Sequence, residues 1–243
     1  MPLLLAGIWQ VATSAGWVPP ETLPSPGDVY SAFRELTRLG DLQLAIMVSL
    51  ARACAGLAIG GSIGLVLGLF AGLWRVGEQI FDTPLQMLRT IPFIALIPLF
   101  IVWFGIGETP KIALIVGATI VPMYINTYAG VRGVDPRLIE AGQVFNLSRR
   151  QIATRVIVPT AMPSILVGFR YAAGVSLLAL VAAEQINAQS GIGYILMNAN
   201  MNQRPDVVIV GVAVYAALGV ATDLLTRMFE RVALPWKPDL VLA

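Results

Sequence analysis

The sequence predicts an all-α integral membrane protein with about six transmembrane helices, on three observations. Hydrophobic residues make up 57% of the chain and charged residues 12%, against roughly a quarter charged in a soluble domain, and the mean hydropathy is +0.77. Apolar stretches that can cross a hydrocarbon core of about 30 Å, which takes about 20 helical residues, recur along the whole length. The polar segments between them differ in charge, and the basic ones fall on one side of the membrane.

The same composition narrows the function. The net charge of +2 is small and concentrated in a few loops, which argues for membrane topology and against nucleic-acid binding. There is no histidine, so the commonest metal ligand and general base are missing. The single cysteine, Cys54, lies in an apolar run and can form neither an internal disulfide nor a cysteine metal cluster. Mid-span acids are few, and no acid–base or metal constellation for an intramembrane enzyme emerges. No cofactor is expected in this chain.

Taken in order, the candidate spans are 3–18, 44–73, 83–105, 109–131, 160–186 and 205–229. They form a single membrane domain over 1–243 with its core at 44–230. The first, within MPLLLAGIWQVATSAGW, is short and lacks the basic flank of a cleaved signal peptide; a signal-like segment is the alternative. The loop 19–43 carries Glu21, Asp28, Glu35 and Asp41 against Arg34 and Arg38. In the second span Gly56, Gly60, Gly64, Gly68 and Gly72 recur at every fourth position, a ladder that lets another helix approach closely. The general richness of membrane helices in glycine is the plainer explanation for any one of them.

The third span carries Pro92 and Pro98 and the fourth Pro122, each of which removes a backbone donor and can kink its helix. Kinks are tolerated at membrane depth where protein or a water-filled cavity satisfies the freed groups. Arg89 reads as lying near the inner end of the third span, seven residues after Asp82. There it either lines an anion path or snorkels to headgroups. Glu184, Gln185, Asn187 and Gln189 cluster where the fifth span meets the outside; they form part of a gate or are a polar helix end in water. Glu184 ends an apolar run, where a buried acid is costly. Asp223 and Arg227, four apart on the last span, suit an internal ion pair.

The most distinctive stretch is 131–159, VRGVDPRLIEAGQVFNLSRRQIATRVIVP. Five arginines (Arg132, Arg137, Arg149, Arg150 and Arg155) stand against Asp135 and Glu140. With Arg75 in the 74–82 turn and Arg227, Arg231 and Lys237 in the tail, it sets the inner side, with both termini inside for six spans. Local chemistry predicts two short helices. Asp135 caps the first with Pro136 at its first position, and Leu138, Ala141 and Phe145 share one face. Asn146 stops it, because Asn tolerates a left-handed backbone. Ser148 and Gln151 form a capping box for the second, which Pro159 ends. The result is a compact knob, apolar on one face and basic on its flank. It is either a docking element or an interfacial pair whose arginines anchor to anionic headgroups.

Glu140-Ala141-Gly142, then Asn146, then Val156-Ile157-Val158-Pro159 resembles the "EAA" loop of ABC-importer inner-membrane permeases, which reads Glu-Ala-Ala, Gly, Ile-x-Leu-Pro. Here Gly142 stands at the second Ala, Asn146 at the Gly, and Val156 and Val158 at the Ile and Leu. The likeness runs through nearly the whole chain. Leu23-Pro24-Ser25-Pro26, Ser49-Leu50-Ala51-Arg52, Arg89-Thr90-Ile91-Pro92, Trp103-Phe104-Gly105-Ile106-Gly107, Gly168-Phe169-Arg170, Ser190-Gly191-Ile192-Gly193-Tyr194 and Leu234-Pro235-Trp236 are similar to the nitrate/sulfonate/taurine-type branch of the binding-protein-dependent type I family.

That resemblance implies a type I ABC importer permease fold with a cytoplasmic coupling helix. The chain would work in a bacterial cytoplasmic (inner) membrane as a homodimer with a second copy, two ABC ATPase subunits and a periplasmic or lipid-anchored solute-binding protein. Glu140, Ala141, Gly142, Phe145, Asn146, Leu147, Arg149 and Arg150 would face the ATPase. Because the chain has no G-x-x-x-x-G-K-[ST] loop, ATP and Mg2+ would sit on that partner. The solute would be small and anionic, such as a sulfonate, taurine or nitrate, although the branch also includes carriers of uncharged heterocycles. Arg89, Pro92, Pro98, Glu184 and Gln185 are the candidates for its path or gate. An ion-gradient-driven carrier or channel is the competing class; it would show internal repeats or an intramembrane ion relay, neither of which stands out.

Overall fold

The computed structural model describes residues 2–17, 19, 21–185 and 188–235, and the described residues are helical with no strand. Asn187, Trp236 and Lys237, named above, lie outside them. Helix α1, Pro2–Ser14, has 13 residues, about 20 Å at 1.5 Å per residue, which is too short to cross the membrane. The residues described at the expected first span, short as read, do not by themselves reach across. Thr13 and Ser14 turn their hydroxyls back onto the carbonyls of Trp9 and Val11, and the Trp9 indole donates to the Pro24 carbonyl at 3.0 Å.

The segment read as a loop at 19–43 contains α2, Pro26–Leu39, started by a reciprocal Ser25–Asp28 capping box with Pro26 in its first turn. Its apolar side, Val29, Ala32 and Leu36, packs on Ala199, Val207 and Val210. Gly40, at φ 83°, ends α2 and leads directly into α3, Asp41–Leu73.

The expected straight span at 83–105 is broken. Helix α4, Arg75–Leu88, is followed by a 3-10 turn, Phe93–Leu96, and by α5, Ile97–Phe104, and the two parts are bent by 89°. Pro92 explains the position of the break, since it has no N–H to continue α4 and pushes Ile91 away from helical geometry. The last turn tightens instead, with Thr90 N–H donating to Met87 and Ile91 N–H to Leu88. Pro98, expected to kink a helix, sits in the first turn of α5, where no donor is lost.

Helix α6, Glu108–Arg132, lies along α3, and the glycine ladder is the contact. An added Cβ would come within 2.4 Å of Ile115 at Gly56, 2.1 Å of Thr119 at Gly60 and 2.6 Å of Thr127 at Gly68. At Gly72 it would come within 2.6 Å of Val131. Both numberings rise together, so α3 and α6 are parallel, and the intervening bent pair must return across the full thickness. Helix α9, Val158–Gln185, runs antiparallel to α6: Gly130 meets Ser164, and Gly168 meets Asn126. Ile115, Ala118, Ala179, Leu180 and Ala53 form one core cluster of the three helices.

Between α6 and α9 lie α7, Pro136–Val144, and α8, Arg149–Ile152. Contrary to expectation, Pro159 does not end the second of these. A π turn, Ala153–Ile157, carries α8 into α9 as one helix over Arg149–Gln185; Val158 N–H bonds the Ala153 carbonyl five residues back, so the ladder changes register just before Pro159, which offers no donor. Beyond α9, α10, Ile192–Met201, precedes α11, Pro205–Ala233.

Among the described residues four helices are long and apolar enough to cross a membrane, and there are five if the bent pair is counted as one span, as the parallel α3 and α6 require. Five crossings put the two ends of 41–233 on opposite sides. The shared side expected for both termini needs a sixth crossing ahead of α3.

Candidate functional site

Three places in this frame hold the residues that sequence reading singled out. The first is the α7–α8 knob, at the end of the bundle that carries Arg75, Arg132 and Arg231. Its local chemistry is as expected. The Asp135 carboxylate accepts from Arg137 N–H at 2.9 Å, Asn146 adopts φ 55°, and Ser148 and Gln151 bond reciprocally. Gly142 faces inward, where a Cβ would stand 3.4 Å from Ile152 and 3.6 Å from Leu147, ordinary contacts that an alanine would fill. Leu147 itself is half-buried and contributes to this seat.

The outward face of α7 is unusual for a surface. Leu138, Glu140, Ala141, Val144 and Phe145 are exposed, with Val144 80% and Phe145 79% accessible. The apolar face expected from Leu138, Ala141 and Phe145 thus points away from the chain. The exposed Arg149 and Arg150 flank it. Two caps and a buried glycine fix the helix that presents this face.

The second place is a buried polar staple at the opposite end. Glu184, expected at a gate, is 0% exposed and fully bonded. Its carboxylate accepts from Ser49 Oγ at 2.8 Å, Arg52 Nη1 at 2.7 Å, Gly193 N–H at 2.9 Å and the Tyr215 hydroxyl at 3.1 Å. Arg52, 3% exposed, also makes a bidentate pair with Glu108 at 2.5 and 2.7 Å and donates to the Ser190 carbonyl at 2.7 Å. Lys111 closes on Glu108 at 2.9 Å. One cluster thereby ties α3, α6, α9, α10 and α11 together.

The Gly191-Ile192-Gly193 turn is required by that cluster. A Cβ on Gly191 would lie 2.5 Å from the Glu184 carboxylate, and one on Gly193 2.5 Å from Glu184 Cβ. Glu184 therefore lines no opening. Gln185 is exposed, and Gln189 lines a bowl of about 660 Å3 with Asp41, Tyr194, Asn198 and Arg204. Sequence reading missed the role of Arg52; an arginine three residues after Ser49 inside an apolar run was the available signal.

The third place is a cavity of about 330 Å3 lined by Arg89, Phe93, Val121, Pro122, Asn126 and Tyr171, among others. Arg89 is not at the inner end of a span, as read. The bend places it beside the middle of α6, because α4 runs only part of the way before the chain turns. Pro92 sits at that bend, and Pro98 follows it in α5. Farther along the bundle, Asp223 pairs with Arg227 at 2.8 Å as expected, and also with Arg170 of α9 at 2.5 Å.

Comparison with known proteins agrees with this arrangement. The family described as "binding-protein-dependent transport system inner membrane component" matches residues 64–233. The chain is 46% identical over 238 residues to the putative aliphatic sulfonates transport permease protein SsuC of Escherichia coli (strain K12), covering 98% of this chain and 90% of the relative. It is 35% identical over 243 residues to the taurine transport system permease protein TauC of the same organism, covering 97% of this chain and 87% of the relative. Among solved structures, an amino acid ABC transporter crystallised with histidines matches at TM-score 0.69 and 17% identity, covering 82% of this chain and 97% of that one. The MetNI methionine ABC transporter in an inward-facing form matches at TM-score 0.55 and 19% identity, over 78% of this chain and 94% of that one.

Proposed function

The chain belongs to the family of binding-protein-dependent transport system inner membrane components, and from that premise we propose that it is the permease subunit of an ATP-driven ABC importer for a small organic anion. The observation that carries the reading is the outward face of α7. An exposed apolar patch around Glu140, held by two caps on the basic side, is what an ATPase subunit can grip. The basic side is then cytoplasmic, in a bacterial inner membrane, with the end of α11 on that side. ATP and Mg2+ belong to the ATPase, and this chain contributes no catalytic group.

Transmission follows from continuity. Because α8 runs through the π turn into α9, a displacement of the knob is a displacement of the base of α9. At the far end α9 is pinned by the Glu184 staple, so movement is taken up along its middle, beside the cavity at Arg89. The ATPase drives transport by binding the two arrangements of the permease with different affinity. A solute-binding protein docks at the opposite end, over the bowl containing Gln189 and Asn198. A second copy of the chain completes the path, since the Arg89 cavity is open on one side of a single copy.

Relatives named for aliphatic sulfonates and taurine support an organic sulfonate as the solute. Reconstitution into liposomes with the ATPase and binding protein tests the reading. Alkanesulfonate uptake that requires both ATP and the binding protein is expected; uptake by this chain alone, driven by an ion gradient, would replace the importer with an ion-driven carrier.

A further inference from the structure

The Arg89 cavity sits beside the middle of α6. Its lining there runs from Ala118, ten residues after Glu108, to Asn126, six before Arg132, about 15 and 9 Å from the two ends of α6 at 1.5 Å per residue. Arg89 is exposed on the open side of the cavity, and a guanidinium at that depth is costly if it faces lipid without a partner.

Other charged groups deep in the spans have partners, whereas Arg75, Arg149, Arg150, Arg155 and Arg231 lie at the basic end of the bundle. Glu108 and Glu184 hold Arg52, Asp223 holds Arg170 and Arg227, Glu78 holds Arg132, and Asp82 accepts from the Tyr124 hydroxyl at 3.2 Å. Arg89 makes no ion pair and no side-chain hydrogen bond among the described residues.

Its surroundings are organised. The Phe93 ring lies where a Cβ on Gly117 would be only 2.9 Å away, so the absence of a side chain there seats the 3-10 turn against α6 and fixes the bend beside Arg89. Asn126 donates to the Pro122 carbonyl at 2.8 Å, which orients its amide and leaves a second N–H. Tyr171 adds a hydroxyl, and Phe93, Val121, Ile125 and Val175 add apolar wall. The volume of about 330 Å3 is some ten times the ~30 Å3 share of a water molecule.

We propose that this cavity is a transit site for an organic sulfonate, with Arg89 receiving the anionic head, Asn126 and Tyr171 offering neutral donors, and the apolar wall taking the aliphatic tail. The inference rests on the importer reading above and deepens it. An arginine can meet two of a sulfonate's three oxygens through two parallel N–H groups, and a fixed cation at mid-depth repels cationic solutes.

The test is chemical rescue in the complete permease–ATPase–binding-protein complex in liposomes, with Cys54→Ser as background, since Cys54 is exposed. The readout is alkanesulfonate moved per ATP hydrolysed. Arg89→Cys should lower the ratio about tenfold or more, the scale of one lost charge-assisted hydrogen bond. Modification with an aminoethyl thiosulfonate, which restores a cation, should recover much of it; the sulfonatoethyl reagent should not. Asn126→Asp, nearly isosteric, places a carboxylate in the cavity and should lower the ratio as well.

Arg89→Cys within about twofold of the background, or equal effects of the two reagents, would overturn the proposal. If Arg89→Cys does not assemble, Asn126→Asp decides alone, and wild-type coupling in that variant overturns it. A background complex that hydrolyses ATP but moves no sulfonate would instead sink the importer reading, and with it the solute assigned here.

Discussion

Replacing Arg52 by methionine is the sharpest perturbation of the frame. Arg52 is 3% exposed and Glu184 0%, and the pair is separated by 2.7 Å. Removing one partner of a buried ion pair costs about 3–5 kcal/mol, because the other charge is left without compensation. Here Glu184 would keep three neutral donors, from Ser49, Gly193 and Tyr215, which places the loss near the lower end, about 3–4 kcal/mol. For a chain of this length each kcal/mol moves the melting temperature by about 2–4 °C, so a fall of roughly 6–16 °C is expected.

The assay is thermal unfolding of the purified chain in mild detergent, followed by tryptophan fluorescence. The double variant Arg52→Met/Glu184→Met removes both charges and should be no worse than Arg52→Met, since neither side is left unpaired. Arg52→Lys should fall between, because one ammonium cannot serve the Glu108, Glu184 and Ser190 acceptors together. A fall under about 3 °C for Arg52→Met, or a double variant equal to the sum of the singles, would refute the view that this cluster staples the helices.

Other regions give independent expectations. Gly64→Ala puts a Cβ 2.5 Å from the Ile120 carbonyl, a backbone atom that cannot step aside, and should cost about 1–3 kcal/mol; Gly174→Ala, inside α9 with nothing within 4 Å, should not destabilise and should gain up to about 0.5–1 kcal/mol in the same melts. Gly142→Ala fits its seat at 3.4–3.8 Å from its neighbours and should stabilise α7 by about 0.5–1 kcal/mol, raising the melting temperature without weakening ATPase binding. Glu35 bonds Arg204 at 2.9 Å, and that hydrogen bond holds its carboxyl below the ordinary 4.5. Its contribution is therefore complete above that value and lost as pH falls through the lower folded value. Hydrogen exchange over 26–39 should speed up as pH drops below the ordinary glutamate range, after correction for intrinsic rates, and Glu35→Gln should be fast already at neutral pH. A protection pattern that ignores both changes would remove Arg204 from the anchoring of α2.

What was legible in the sequence was local. The Asp135 cap, the Asn146 stop and the Ser148–Gln151 box follow from side chains that reach their own backbone within a few residues. The Gly56–Gly72 ladder announced a close helix contact, and the Asp223–Arg227 spacing announced its pair. What was not legible depended on distant parts of the chain. A proline shows where a helix can break but not by what angle, so the 89° bend and the mid-depth position of Arg89 were hidden by the assumption of a straight span. The partners of Glu184 lie up to 135 residues away, beyond any local rule. Pro159 looked like a terminator because a π turn, which lets the helix run through, has no marker in residue type.

The claim that matters most is that the outward face of α7 holds an ATPase. The direct measurement is to purify the chain from its native membrane in mild detergent and identify what accompanies it, for the wild type and for Glu140→Lys. Glu140 is exposed, so the substitution should leave the melting temperature of the chain unchanged. An ATPase subunit present with the wild type and absent with Glu140→Lys is the predicted result. A chain that purifies alone and still moves solute, or an ATPase retained at full strength by the variant, would contradict the account.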